Sequence, residues 1–261
     1  MITALLLSGQ FTPNATQTPM TLRRKIDAPQ TTQFEFKSTD KIDNRWTGPQ
    51  AKALKPESNS TTTTQVFTET LSPTGPGEAK INFTQNSMNG QGGVAMDDYT
   101  VDERDRGSAS AYQAKFSDQS GTTANTSNLS FLFKLPLTFS FPEKPVSPGD
   151  FWSDHSAASS LDFQFKVLSL RCVYKGQGTH ANVPCYHLVL TEQLGNPWDM
   201  TSSSLSGSHT TGKGDLEADI YIRQDDGDIQ AETVKQNTLM NRLDGQNHIK
   251  EFQTLDIRRL D

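Results

Sequence analysis

Residues 161–194 read LDFQFKVLSLRCVYKGQGTHANVPCYHLVLTEQL, and their alternation decides the fold. Leu161, Phe163, Phe165 and Val167 recur at every second position, the period of a strand and not of a helix. The phase then switches to Leu168, Leu170, Cys172 and Tyr174. A regular strand cannot change face, so a β-bulge or sharp bend is predicted near Val167 and Leu168. KGQGTHAN reads as a loop, after which alternation resumes over 183–194. A symmetric hairpin pairs Leu168 with Val189, Leu170 with His187, Cys172 with Cys185 and Tyr174 with Val183, all on one mostly apolar face. That register sets the two cysteines of the chain opposite each other, so a Cys172–Cys185 disulfide is predicted.

Working outward, residues 131–141 place Phe131, Phe133, Leu135, Leu137, Phe139 and Phe141 on one face of a strand, with Pro136 putting it at an edge or kinking it. Asp226-Gly227 is a hairpin signal that pairs Ile222 with Ala231 and Ile220 with Thr233. The last strand is read over 249–257, and shorter candidates lie at 32–36, 65–71, 79–83 and 112–116. A turn or two of helix fits 50–55, bracketed by Pro49 and Pro56. The polar stretches 58–64, 86–93 and 117–128 read as long loops. The chain divides into a signal remnant or disordered tail (1–20), a first β-rich half with long loops (21–130) and a better-patterned antiparallel half (131–261). The fold class predicted is all-β, a strongly curved antiparallel sheet or open half-barrel with long polar loops.

The chain has 261 residues, a formal net charge of −6 and 33% hydrophobic residues. That balance excludes sequence-independent nucleic-acid binding, which needs Lys and Arg to neutralise phosphates. The clusters Arg23-Arg24-Lys25 and Arg258-Arg259 read as solvated strand edges. No apolar run is long enough to span a bilayer as a helix. The N-terminal MITALLLSGQ has an apolar stretch at 2–7 followed by small residues, like the end of a signal peptide. A secreted or periplasmic, envelope location is expected.

Sites for chemistry are sparse. GSHTTGKG, at 207–214, has phosphate-loop spacing but ends in Gly214 where a hydroxyl must reach magnesium, and it precedes a strand. Asp225, Asp226 and Asp228 lack the alternating ligands and distant Glu of a calcium loop and read as a solvated turn. The five His residues show no zinc-ligand spacing. Asp97, Asp98, Asp102, Glu103 and Asp105 could offer paired carboxylates for glycoside hydrolysis, but Arg104 and Arg106 interleave them as in a solvated loop. No catalytic residue, cofactor or metal is assigned.

Residues 141–152 read FPEKPVSPGDFW. This Pro-Val-x-x-Gly-Asp-x-Trp pattern resembles a motif in a family of secreted bacterial β-rich proteins of unknown function. The resemblance covers roughly 130–261, with the long strand at 161–174 and the later Asp226-Gly227 turn. It implies a shape similar to lipoprotein carriers of the bacterial envelope, half-barrels with an apolar concave side, and no catalytic residues. Read physically, Pro148-Gly149 suits the centre of a type II turn, Asp150 can accept backbone N–H groups, and Trp152 can anchor the sheet's corner. A non-enzymatic extracytoplasmic protein follows, binding an apolar ligand or an envelope protein. A structural or assembly module is the alternative, and a carbohydrate hydrolase the third reading. The ligand face proposed from the sequence is Phe131, Phe133, Leu135, Leu137, Phe139, Phe163 and Phe165, continued by Phe141, Leu161 and Val167.

Overall fold

The structure, a computed structural model, describes residues 18–48, 51, 55–85, 94–96, 99–104, 114–117, 123–125, 140–154, 167–201, 209–242 and 247–260. Its first long strand, β1 (Gln30–Trp46), grows from the alternation of Thr32, Phe34 and Phe36, whose side chains are buried while their neighbours are not. β2 (Glu57–Gly75) and β3 (Glu78–Gln85) follow as a meander, with the short β4 (Val94–Met96), β5 (Tyr99–Asp102), β6 (Ala114–Ser117) and β7 (Thr123–Asn125) beyond. The second half supplies β8 (Phe151–Asp154), β9 (Val167–His180), β10 (Val183–Thr201), β11 (His209–Arg223), β12 (Ile229–Arg242) and β13 (Asn247–Arg259).

Among the described residues these thirteen strands form one antiparallel sheet, ordered β7-β6-β4-β3-β2-β1-β13-β12-β11-β10-β9-β8, with β5 beside β3. β7 and β8 lie at opposite ends of that order, so the curved sheet is open. Both halves of the chain therefore build one sheet, joined where β1 pairs with β13. A single rung crosses it through Gln65, Phe36, Ile257, Glu232, Ile220, Leu188 and Tyr174. The buried cluster on this face includes Phe34, Phe67, Leu71, Ile81, Leu190 and Leu255.

The β9–β10 hairpin exists in a different register from the one predicted. The strands run on through KGQGTH, and the chain reverses at Ala181 and Asn182, both at positive φ (50° and 66°). Lys175 is then an extra residue between the Gly176–His187 and Tyr174–Leu188 pairs. Cys172 consequently faces Leu190, and Cys185 faces Gly178. The partner of Cys172 sits five residues along β10 from Cys185, roughly 16 Å of strand. Neither buried cysteine is in a disulfide, which corrects the predicted Cys172–Cys185 bridge. The irregularity expected near Val167 and Leu168 is present, because Ser169 pairs with Gln193 and Val167 with Leu194.

The second hairpin is also displaced. Its turn spans more than Asp226-Gly227: Arg223 N–H donates to Asp228 O at 2.8 Å and Gly227 N–H to Arg223 O at 3.0 Å. Ile222 pairs with Ile229, two residues from the predicted Ala231, and Ile220 pairs with Glu232, one residue from the predicted Thr233. A slip of one residue exchanges the two faces of a strand, and here it carries Glu232 inside. Residues 58–64, expected as a loop, are part of β2, and β7 lies within the supposed loop 117–128. The strand predicted at 131–141 is described only from Ser140, where the chain is not a strand; 131–139 and 161–166 lie outside the described residues. So does most of the helical turn proposed at 50–55.

Candidate functional site

The concave face is crossed by a strap of chain, residues 20–26, ahead of β1. Its alternation turns Leu22, Arg24 and Ile26 inward, all buried. Met20 pairs with Val146, Arg24 N–H donates to Glu103 O at 2.8 Å, and Lys25 N–H donates to Asp226 O at 2.8 Å. Gly227 lets the strap lie this close: a Cβ there would meet Arg23 O at 2.0 Å, and its φ is +74°.

Arg24 was read as part of a solvated basic cluster, and the structure corrects this. Its guanidinium is buried between Glu69 and Asp228, the latter at 3.2 Å. Arg259 is likewise drawn inward, 2.7 Å from Asp226 and 3.7 Å from Asp228. The Asp225–Asp228 turn is therefore solvated only in part, since Asp228 is buried and only Asp225 is exposed. The Arg223 guanidinium, hydrogen-bonded to Asp225, holds that carboxyl down at about 2.

Glu232 is a third buried acid besides Glu69 and Asp228, 2% exposed, with neither carboxyl oxygen hydrogen-bonded. Burial raises its pKa well above the usual carboxylate range, because desolvation penalises the charged form. Two rungs further on, Asp40, Gln253 and Gln236 stand side by side. There the face is only half-buried at Ser38, Asp40, Ile42, Asn44 and Trp46.

At the rim, the motif forms the predicted turn. Gly149 has φ 96°, Asp150 N–H donates to Ser147 O at 2.9 Å, and the Asp150 carboxylate accepts from Ser147 N–H at 2.8 Å. Trp152 is partly buried against the core, its indole N–H donating to Ser140 O at 2.7 Å. Between β8 and residues 142–146 lies a groove of about 560 Å³, with Arg104, Lys144, Val146, Phe151, Trp152 and Ser153 in its lining. Phe151 is 59% exposed, and the Arg171 guanidinium stacks on its ring at 4.3 Å. Arg104 is held by Phe141 O at 2.9 Å and Glu143 at 3.2 Å.

The sequence-predicted ligand face is only marginally described. Phe131, Phe133, Leu135, Leu137, Phe139, Leu161, Phe163 and Phe165 lie outside the described residues, whereas Phe141 is buried beside the strap. Of the acidic cluster, Asp102 caps the backbone N–H of Arg104 and Glu103 pairs with Arg23, so these two serve a turn and a surface ion pair. His187, expected opposite Leu170, instead faces Gly176 and Tyr221, stacks on the Tyr221 ring and shares a 3.0 Å hydrogen bond with Asp219. That bond lowers the Asp219 pKa. Among the described residues no three His, Cys, Asp or Glu side chains are placed to hold a metal ion, and no helix is long and apolar enough to cross a membrane. The groove and the buried Glu232 were missed from sequence. Nothing local marks either: the groove draws Arg104 from the other half of the chain, and the burial of Glu232 depends on the register of its hairpin.

No protein-family model matches this chain, and no curated protein matches it. Among solved structures, a DUF1329 family protein from Desulfovibrio piger is similar over 87% of this chain and 85% of its own, at 10% identity and a TM-score of 0.23. A likeness at that score carries no inference about this chain.

Proposed function

We propose that this chain is a non-enzymatic extracytoplasmic protein that binds a protein partner at the rim groove beside β8. The observation that carries the reading is Phe151, a large aromatic left 59% exposed on the wall of a 560 Å³ groove. Aromatic and Arg side chains are the usual anchors of protein interfaces, and Arg171 stacks on this ring. The volume also falls within the range of small-ligand sites. An apolar ligand on the concave side is less favoured, because the strap already fills the described apolar face with Leu22 and Ile26. The extracytoplasmic location rests on the apolar stretch at 2–7 followed by small residues.

A photo-crosslinking amino acid at position 151, in protein produced by its own host, tests the proposal. A discrete crosslinked product is expected in the secreted or envelope fraction, and none from the same probe at Lys41, which is exposed on the other face of β1. Equal labelling from both positions, or none from 151, would leave a purely structural module.

A further inference from the structure

We infer that the partner is an extended peptide segment that adds as a strand to the outer edge of β8, and that it alternates apolar with acidic side chains. This rests on the rim reading above and specifies how that site recognises its partner.

β8 is the last strand of the sheet: one edge pairs with β9, and no strand pairs with the other edge among the described residues. Tyr174 N–H donates to Asp150 O at 3.0 Å, so residue 150 turns its backbone toward β9. Alternation along an antiparallel strand then turns Trp152 the same way and leaves the N–H and C=O of Phe151 and Ser153 facing outward. Such a row of backbone groups is a template for another strand, which proteins ordinarily blunt with Lys or Pro. Phe151-Trp152-Ser153 contains neither. The same three residues form one wall of the groove, and residues 142–146 form the other.

In strand addition, main-chain bonds give affinity while alternate side chains meet opposite faces. One face here offers the exposed Phe151 ring, and the other offers Trp152 with Val146. Arg104, Lys144 and Arg171 surround the groove, against Glu143 and Asp150. The Glu143 carboxylate is engaged by Arg104, and that of Asp150 by Ser147 N–H. With Arg104 paired to Glu143, Lys144 and Arg171 stand against Asp150 alone, so cations are in local excess in a chain whose net charge is −6, and acidic side chains on the incoming strand complement them.

The test uses the full chain and a capped hexapeptide of alternating valine and glutamate, followed by calorimetry. Saturable binding is expected, weakened about tenfold when alternate peptide nitrogens are methylated, the equivalent of one or two lost hydrogen bonds. Ser153→Pro should weaken it similarly, since it removes an outward donor that the sheet does not use, while Ser153→Ala should not. Replacing glutamate by lysine in the peptide should also weaken binding. Affinity indifferent to methylation and to Ser153→Pro would overturn strand addition. So would absence of binding while the crosslink at position 151 persists, a result that leaves the rim reading standing; loss of the crosslink as well would sink both. A dimer dissolved by Ser153→Pro in sedimentation would assign the edge to a second copy of this chain and overturn the acidic peptide.

Discussion

The two ends of β1 share one strand and one face, and from Phe34 to Trp46 the pairing with β13 is unbroken, yet water reaches them differently. Thr32, Phe34 and Phe36 are buried, whereas Ser38, Asp40, Ile42, Asn44 and Trp46 on the same face are half-exposed. The hydrogen-bonded ladder is the same along both ends, so the ladder is not what excludes water. The difference lies in what crosses the face. Arg24 reaches Glu69, whose backbone partner is Thr32, and the strap thereby lies over the first end only. The apolar core of this sheet is a joint product of the strands and of a short extended segment that belongs to none of them.

The most severe way to break the comparison is to unpin the strap. Arg24→Ala leaves the carboxylates of Glu69 and Asp228 buried without the Arg24 cation and should cost about 4 kcal/mol in urea unfolding. A loss below about 1 kcal/mol would show that the strap does not seal the core. A paired truncation sharpens the point along β1 itself. Phe36→Ala should cost about 3 kcal/mol and Ile42→Ala about 1, because only the first opens a cavity in packed surroundings. Equal losses would mean that the two ends are packed alike.

Glu232 offers a comparison by pH. Its pKa is raised in the folded protein, so the native state holds the proton more tightly than the unfolded chain. Stability contributed by that proton is complete below the unfolded value of about 4.3. It is lost as pH rises from there toward the folded value, by up to about 1.4 kcal/mol per pH unit. Glu232→Gln cannot ionise and should melt progressively higher than the wild type as the buffer is moved from acid toward neutral, with the gap smallest in acid. A gap independent of pH would show that the carboxyl is ionised or solvated inside. The smallest expected effect concerns the cysteines. A reducing agent should leave the melting temperature unchanged, and two thiols should titrate in denaturant, because Cys172 and Cys185 are set apart by the register. A fall in melting temperature on reduction would restore the bridge.

Much of the sheet was legible, because period two survives even in short stretches such as Thr32, Phe34 and Phe36. Register was not, and the reason is turn chemistry. The glycines of KGQGTHAN attract a loop assignment, yet the strands continue through them and the reversal falls on Ala181 and Asn182. Asn tolerates positive φ, but Ala gives no such signal. At Asp226-Gly227 the turn was found but not its length, and the resulting slip of one residue concealed Glu232. The strap carried a readable sign in Leu22 and Ile26 flanking Arg24 at alternate positions. The adjoining Arg23 and Lys25 masked it, since three consecutive cations suggest solvent. At the rim, the motif's turn and the partial burial of Trp152 were legible. The groove was not, because it needs Arg104 from the other half of the chain.

The seam between β1 and β13 has a consequence for how the molecule is made. Phe34 pairs with Arg259, so β1 leaves the ribosome long before its neighbour β13 and finds it only after the intervening strands have emerged. Each half can fold back on itself by local meanders, but joining them must close a loop nearly as long as the chain, a slow step by its entropy. Until then the outer edge of β1 stands open, and Lys37, Lys41 and Arg45, exposed along it, are the kind of side chains that discourage a wrong strand from docking. The thirteen-residue β13 works as a keystone, set after the strands on both sides of it and in the middle of the arch.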